Sequence, residues 1–157
     1  MSPSALGTRI LLAAVFLTAA SALGAAVLSA NALPDGPAHV VWDKAACEHC
    51  RMHLGEPAFA AQVVCKDGRV ALFDDPGCLF EWLDTERPEV HATWFHELRG
   101  TSWLRGETAI FERVEQTPMG YGIGAVAHAH GDGATMTFEQ ANAHCLTKNS
   151  TPSGVTR

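Results

Sequence analysis

The sequence predicts an α+β domain built of two similar ββα-type halves, each a small mixed or antiparallel sheet with one short helix. Three observations predict it. Two apolar runs, Ala58 to Cys65 and Arg69 to Phe73, are joined by Lys66-Asp67-Gly68, and an Asp-Gly pair suits the positive backbone angles of a tight hairpin turn. Asp75-Pro76 then opens a pattern of helical period. The succession strand, strand, helix recurs between Val90 and Leu146.

In the first helix Asp75 supplies a capping carboxylate and Pro76 takes the first helical position, where its missing N–H costs nothing. Leu79, Phe80, Trp82 and Leu83 then fall on one face, and the helix ends near Thr85, before Pro88. Val90 to His96 reads as a further strand, Trp103 to Glu115 as an irregular stretch with room for another, and Tyr121 to His128 as the last. Thr137-Phe138-Glu139-Gln140 has the form of a capping box and starts a short helix to about Leu146. Trp82, Trp94 and Trp103 read as core aromatics. A faint echo joins the halves: Met52-His53-Leu54-Gly55 precedes the first strand, and Met119-Gly120-Tyr121-Gly122 opens the last.

A chain of 157 residues has room for one small core, all the more so because residues 1–33 read as an export segment. After one basic residue, Arg9, an uncharged and largely apolar run extends from Ile10 to Leu33. Two readings of it stay open: a signal peptide cut after the small-residue pattern Ala30-Asn31-Ala32, or an uncut membrane anchor of about the roughly 20 residues that a spanning helix needs. Both export the domain, to the periplasm or its equivalent. Lipidation at the end of the run would need a cysteine there, and the first is Cys47. Residues 34–39 read as a linker, 40–146 as the metal-binding domain and 147–157 as a disordered tail. The formal charge of −6, with no Lys/Arg cluster, excludes a nucleic-acid surface.

Five cysteines in an exported chain leave at least one sulfur outside any disulfide framework, and eight His and four Met add soft and borderline metal ligands. The densest group is Cys47-Glu48-His49-Cys50-Arg51-Met52-His53. Monovalent copper is soft and prefers thiolate and thioether sulfur, and in an extended Cys-x-Met segment Cys50 and Met52 would face the same way and clamp one ion. Cys47 and Cys50 also have the spacing of a local disulfide or a thioredoxin-like pair, but such a pair opens a long helix, which Gly55 and Pro57 prevent here. Zinc stays open if His49 and His53 complete a site.

Met119 sits between Pro118 and Gly120, a turn that brings it near the surface; a lone Met is otherwise a core filler. His128 and His130 share a strand face suited to Cu(II) or Zn, or belong to a solvated loop. His96 ends an apolar strand as a third ligand or as a buried, hydrogen-bonded histidine. Cys65, Cys78 and Cys145 read as small buried residues, or the last two as a helix-to-helix disulfide, rather than as ligands.

These residues together resemble the NosL family, accessory copper proteins associated with assembly of the copper centres of nitrous oxide reductase. The resemblance runs from about Cys47 to Ala143. It rests on Cys47-x-x-Cys50-x-Met52, the Asp67-Gly68 hairpin, the Phe73-Asp74 step into a helix, Trp103 after an exposed loop, and Thr117-Pro118-Met119-Gly120 before a small-residue strand. It implies a non-enzymatic chaperone that delivers Cu(I) outside the cytoplasmic membrane, with Cys50 and Met52 as ligands and Met119 as the third. The implied partners are a copper-accepting apo-enzyme such as nitrous oxide reductase, and a membrane transporter. The family fold, two ββα-type halves similar to a domain of organomercurial lyase, agrees with the element order. The chain departs from the family at Arg51, where members usually carry Gly, and in lacking the lipid-accepting Cys that many have. The rivals are a thiol enzyme, either a disulfide oxidoreductase or an organomercury lyase, and a Zn/Cu(II) module using His49, His53, His128 and His130.

Overall fold

The computed structural model describes residues 3–30, 33–131 and 133–150. The chain divides into two compact units, residues 1–33 and 34–157. The first holds one continuous helix, α1 (Pro3–Ala30). Among the described residues no helix is long and apolar enough to cross a membrane. Several α1 side chains, those of 25–30 among them, lie outside the described set, and the pattern Ala30-Asn31-Ala32 falls largely outside it too.

The second unit runs β1 (Ala61–Cys65), β2 (Val70–Phe73), α2 (Pro76–Glu86), β3 (Val90–His96), β4 (Trp103–Arg105), β5 (Ile110–Arg113), β6 (Ile123–Val126), β7 (Thr135–Met136) and α3 (Phe138–Ser150). It is α+β with two small sheets, ordered β2-β1-β3-β4 and β6-β5-β7, in which every strand pairing is antiparallel. Helix α2 packs on β1 and β2, α3 on β5 and β7, and the two helices touch. The Asp67-Gly68 hairpin forms with Gly68 at φ 87°, the region glycine enters without strain. Strand β1 starts later than the apolar run does, because Pro57–Phe59 makes a 3-10 turn. The stretch 103–115 holds two strands, β4 and β5. Strand β7, two residues long, has no apolar run to announce it. Helix α3 continues through residues 147–150, the start of the expected tail, where Thr147 Oγ1 bonds the carbonyls of Ala143 and His144; residues 151–157 lie outside the described set.

Four rings form the centre of the core. Phe80 from α2, Phe95 from β3, Phe111 from β5 and Phe138 from α3 meet with centroids 4.9 to 6.0 Å apart, mostly edge to face. Burying each ring stabilises the fold by roughly 2–3 kcal/mol, and because each belongs to a different element the cluster joins both sheets and both helices. The sheets are also tied at their edges, where the Leu98 N–H donates to the Ala125 carbonyl at 2.7 Å. Trp82 is a core residue against Phe73, whereas Trp94 packs with Val64 and Ala92 in a second, smaller cluster.

The register of the first sheet places the site. Ala61 of β1 lies between Phe73 of β2 and Phe95 of β3, so Asp74, Ala60 and His96 emerge at one end of the sheet. Residues 43–54 fold back on themselves as a loop, closed by the Ala46–His53 bridge and by Asp43 N–H to the Leu54 carbonyl. The Glu48 N–H donates to the Leu72 carbonyl at 2.8 Å and docks this loop on β2.

Candidate metal centre

The start of α2 is held by one buried carboxylate. Asp75 Oδ1 accepts the Gly77 N–H at 2.9 Å and Oδ2 accepts the Met119 N–H at 3.0 Å. A single capping side chain thus satisfies a helix amide and also fixes the Thr117–Gly120 turn, which brings distant chain segments together. Lys148 of α3 donates to the Gly120 carbonyl and holds the same turn. At Gly77 a Cβ would run into the Tyr121 ring, so only glycine allows this close approach. Burial pushes the Asp75 carboxyl up from the usual range, opposed by its hydrogen bonds to Thr117, Gly77 and Met119.

These contacts set Cys78 in the first turn of α2, beneath the 47–52 loop. There the Cys47 N–H donates to the Met52 carbonyl at 2.7 Å and the Arg51 N–H to the Cys47 carbonyl at 3.0 Å. The loop is a turn, not the extended segment on which the same-face argument for Cys50 and Met52 relied, because Arg51 sits at φ 67° in the left-handed region.

Four donors converge. The sulfurs of Cys47, Cys50 and Cys78 and a carboxylate oxygen of Asp74 lie within 4.8 Å of one another. Cys47 and Cys78 are fully buried, Asp74 is nearly so, and Cys50 is half-buried at the mouth. The Cys50 thiol donates to Asp74 Oδ1 at 3.3 Å. Cys47 is lowered to about 7, chiefly because the Cys78 thiol donates a hydrogen bond to its sulfur. The same bond pushes Cys78 up, and burial raises Cys50 to about 12. Three soft sulfurs beside one carboxylate suit a soft or borderline ion, copper(I) or zinc, far better than a hard one.

Of the residues singled out in the sequence, Cys47 and Cys50 enter this group. Met52 and Met119 do not bury: they are 55% and 40% exposed, unusual for apolar side chains. Met52 is bound into the loop through its carbonyl, and Met119 is tied by its amide to Asp75, the neighbour of Asp74. His96 is buried at the same end of the sheet but outside the converging group, edge-on to Trp42 and Trp103. Its Nδ1 donates to the Glu97 carbonyl at 3.1 Å, which leaves the lone pair on Nε2.

The four histidines of the rival module go elsewhere. His49 faces Glu81 at 3.3 Å, His53 Nδ1 bonds the Asp43 carbonyl, and His130 sits against Glu112 and Arg99. His128 is exposed, and Asp132 of the same segment lies outside the described residues. Among the described residues no His-based group of three or more ligands forms. All five cysteines are free thiols, so Cys78 and Cys145 are not bridged. A cavity of about 520 Å³ lined by Leu83, Val90, Thr93, Glu107, Phe138 and Glu139 lies toward the other end of β3, and none of the ligands expected from the sequence lines it.

Asp74 and Cys78 were missed in the sequence. The signal was present in Asp74-Asp75-Pro76-Gly77-Cys78: a capped helix start puts a thiol three residues on into the first turn, beside the carboxylate that precedes the cap.

No family model matches the sequence, and no curated protein matches it. The crystal structure of the copper chaperone NosL from Shewanella denitrificans is similar to this chain, with a TM-score of 0.57 and 21% identity over 68% of this chain and 96% of that one. Likeness at this identity concerns architecture, and in architecture the chain has a NosL-like fold.

Proposed function

We propose that the chain is a copper(I) carrier that works outside the cytoplasmic membrane and hands its cargo to a copper-accepting apo-enzyme, with nitrous oxide reductase the recipient the resemblance suggests. The observation that carries this reading is the convergence of Cys47, Cys50, Cys78 and Asp74 beneath a loop bearing an exposed Met52. Cys50 at the mouth, with Met52 and Met119, forms the accessible sulfur set, and Cys47 stands behind it. His96, with its free Nε2 lone pair, is the nitrogen candidate. A thioether binds more weakly than a thiolate, so a partner's ligands displace Met first and Cys50 last. The carrier needs no catalytic step. The apolar 1–33 segment is read as the export signal, or as the anchor that keeps the domain at a membrane carrying a transporter partner.

Anaerobic Cu(I) titration of the domain is expected to give about one tight equivalent, and the double variant Cys47→Ser/Cys50→Ser to lose it. Unchanged affinity in that variant defeats the reading.

A second reading gains support from one observation. A thiol enzyme that cleaves a carbon–mercury bond needs a proton relay beside its sulfurs, and Asp74, which accepts from the Cys50 thiol, is placed to take that proton and pass it to the leaving carbon. Release of hydrocarbon from an organomercurial by the copper-free domain would favour it over the carrier. The redox-pair reading loses ground, because Cys47 and Cys50 sit in a turn with no helix behind them.

A further inference from the structure

The trio of sulfurs is not uniform in depth. Cys47 and Cys78 have no solvent exposure, Cys50 is half-buried, and Met52 and Met119 reach into solvent. A site meant only for surface exchange would need Cys50 and the two thioethers, with nothing behind them. Yet a third thiol from another element, at the start of α2, is packed within 4.8 Å of the loop sulfurs. Holding it there takes Asp75, Gly77 and the Tyr121 ring, which fix the first turn of α2 with little freedom. Cys145 shows how a thiol is buried here for packing alone: it is fully buried on α3 and belongs to no group of converging ligands.

We infer that the copper cargo occupies two successive positions: an outer one at Cys50, Met52 and Met119, and an inner one at Cys47, Cys50 and Cys78, with Cys50 shared and Cys78 the ligand that makes the inner position. The inference rests on the carrier reading. Cu(I) accepts two or three sulfurs, so the ion moves inward by exchanging thioether bonds for thiolate bonds around a constant Cys50. Each thiol that joins the ion releases its proton to water, and the copper stays monovalent throughout. The outer position serves capture and handover. The inner one, closed over by the 47–52 loop, retains the ion away from competing ligands.

The test compares the full exported domain with its Cys78→Ser variant, a near-isosteric change, using Cu(I) alone and a coloured Cu(I) chelator as competitor. The thiolate sulfurs on copper in X-ray absorption are expected to fall from three toward one, with the longer thioether bonds of the outer position taking their place, affinity to drop at least about tenfold, and chelator removal to quicken by a similar factor. Cys145→Ser, equally buried, is the control and is expected to change none of these. The thiolate count of the unsubstituted protein, three at the inner position against one at the outer, is a second readout that needs no variant to fold. Identical affinity, release rate and thiolate count in Cys78→Ser, while the Cys47/Cys50 double variant still loses copper, would overturn the inner position and leave the carrier standing. Retention of copper by the double variant would overturn both.

Discussion

The two helix starts of the folded unit obey the same local rule and do different things. At α3 the cap is exposed: the Gln140 N–H reaches Thr137 Oγ1 at 3.4 Å, the Thr137 N–H donates to Gln140 Oε1 at 2.9 Å, and water can replace either. At α2 the cap is Asp75, fully buried, and both of its oxygens are engaged, one by the helix and one by a turn 44 residues away. An exposed cap ends a helix. A buried cap has no water to fall back on, so its second oxygen recruits another segment, here the Thr117–Gly120 turn through the Met119 amide.

Removing the two caps breaks the comparison most directly. Asp75→Ala orphans the Gly77 amide and frees the Met119 turn, and is expected to lower stability by about 2–4 kcal/mol in urea unfolding. Copper affinity should fall with it, since Cys78 loses its fixed turn. Thr137→Ala, at the exposed cap, should cost about 0.5–1 kcal/mol and leave copper binding unchanged. Equal losses at the two positions would show that burial of the cap carries no special weight.

What the sequence made legible follows from the range of the forces involved. The hairpin, both helix starts and the α+β class are written in residues that lie within four or five positions of one another: Asp67-Gly68, Asp75-Pro76, Thr137 to Gln140. Strand β7 was not legible, because its two residues are held by pairing with Phe111 and Glu112 and not by any apolar pattern of their own. The same limit explains the site. Cys47 and Cys50 stand out by local spacing. The role of Cys78 depends on a contact between α2 and a loop almost 30 residues earlier, and looked from the sequence like one more small buried residue. The histidines failed in the opposite sense: locally dense, three of the four were claimed one by one by Glu81, the Asp43 carbonyl and Glu112, and His128 is exposed.

Arg51 offers the finest test, because it lies in the loop that docks on the buried helix start. At φ 67° a side chain crowds the following carbonyl, costing about 1–2 kcal/mol for most residues, whereas glycine takes this region freely. Its ion pair with Glu48, 3.5 Å long with the Arg51 side chain 71% exposed, returns little of that in water. Glycine in turn loses more freedom on folding, about 0.5–1 kcal/mol. The balance predicts that Arg51→Gly raises stability by a few tenths to about 1 kcal/mol, with Cu(I) affinity unaltered. A fall in stability would mean that the Arg51 side chain holds the loop on Glu48 more firmly than its exposure suggests, and Glu48→Gln would then show the same loss.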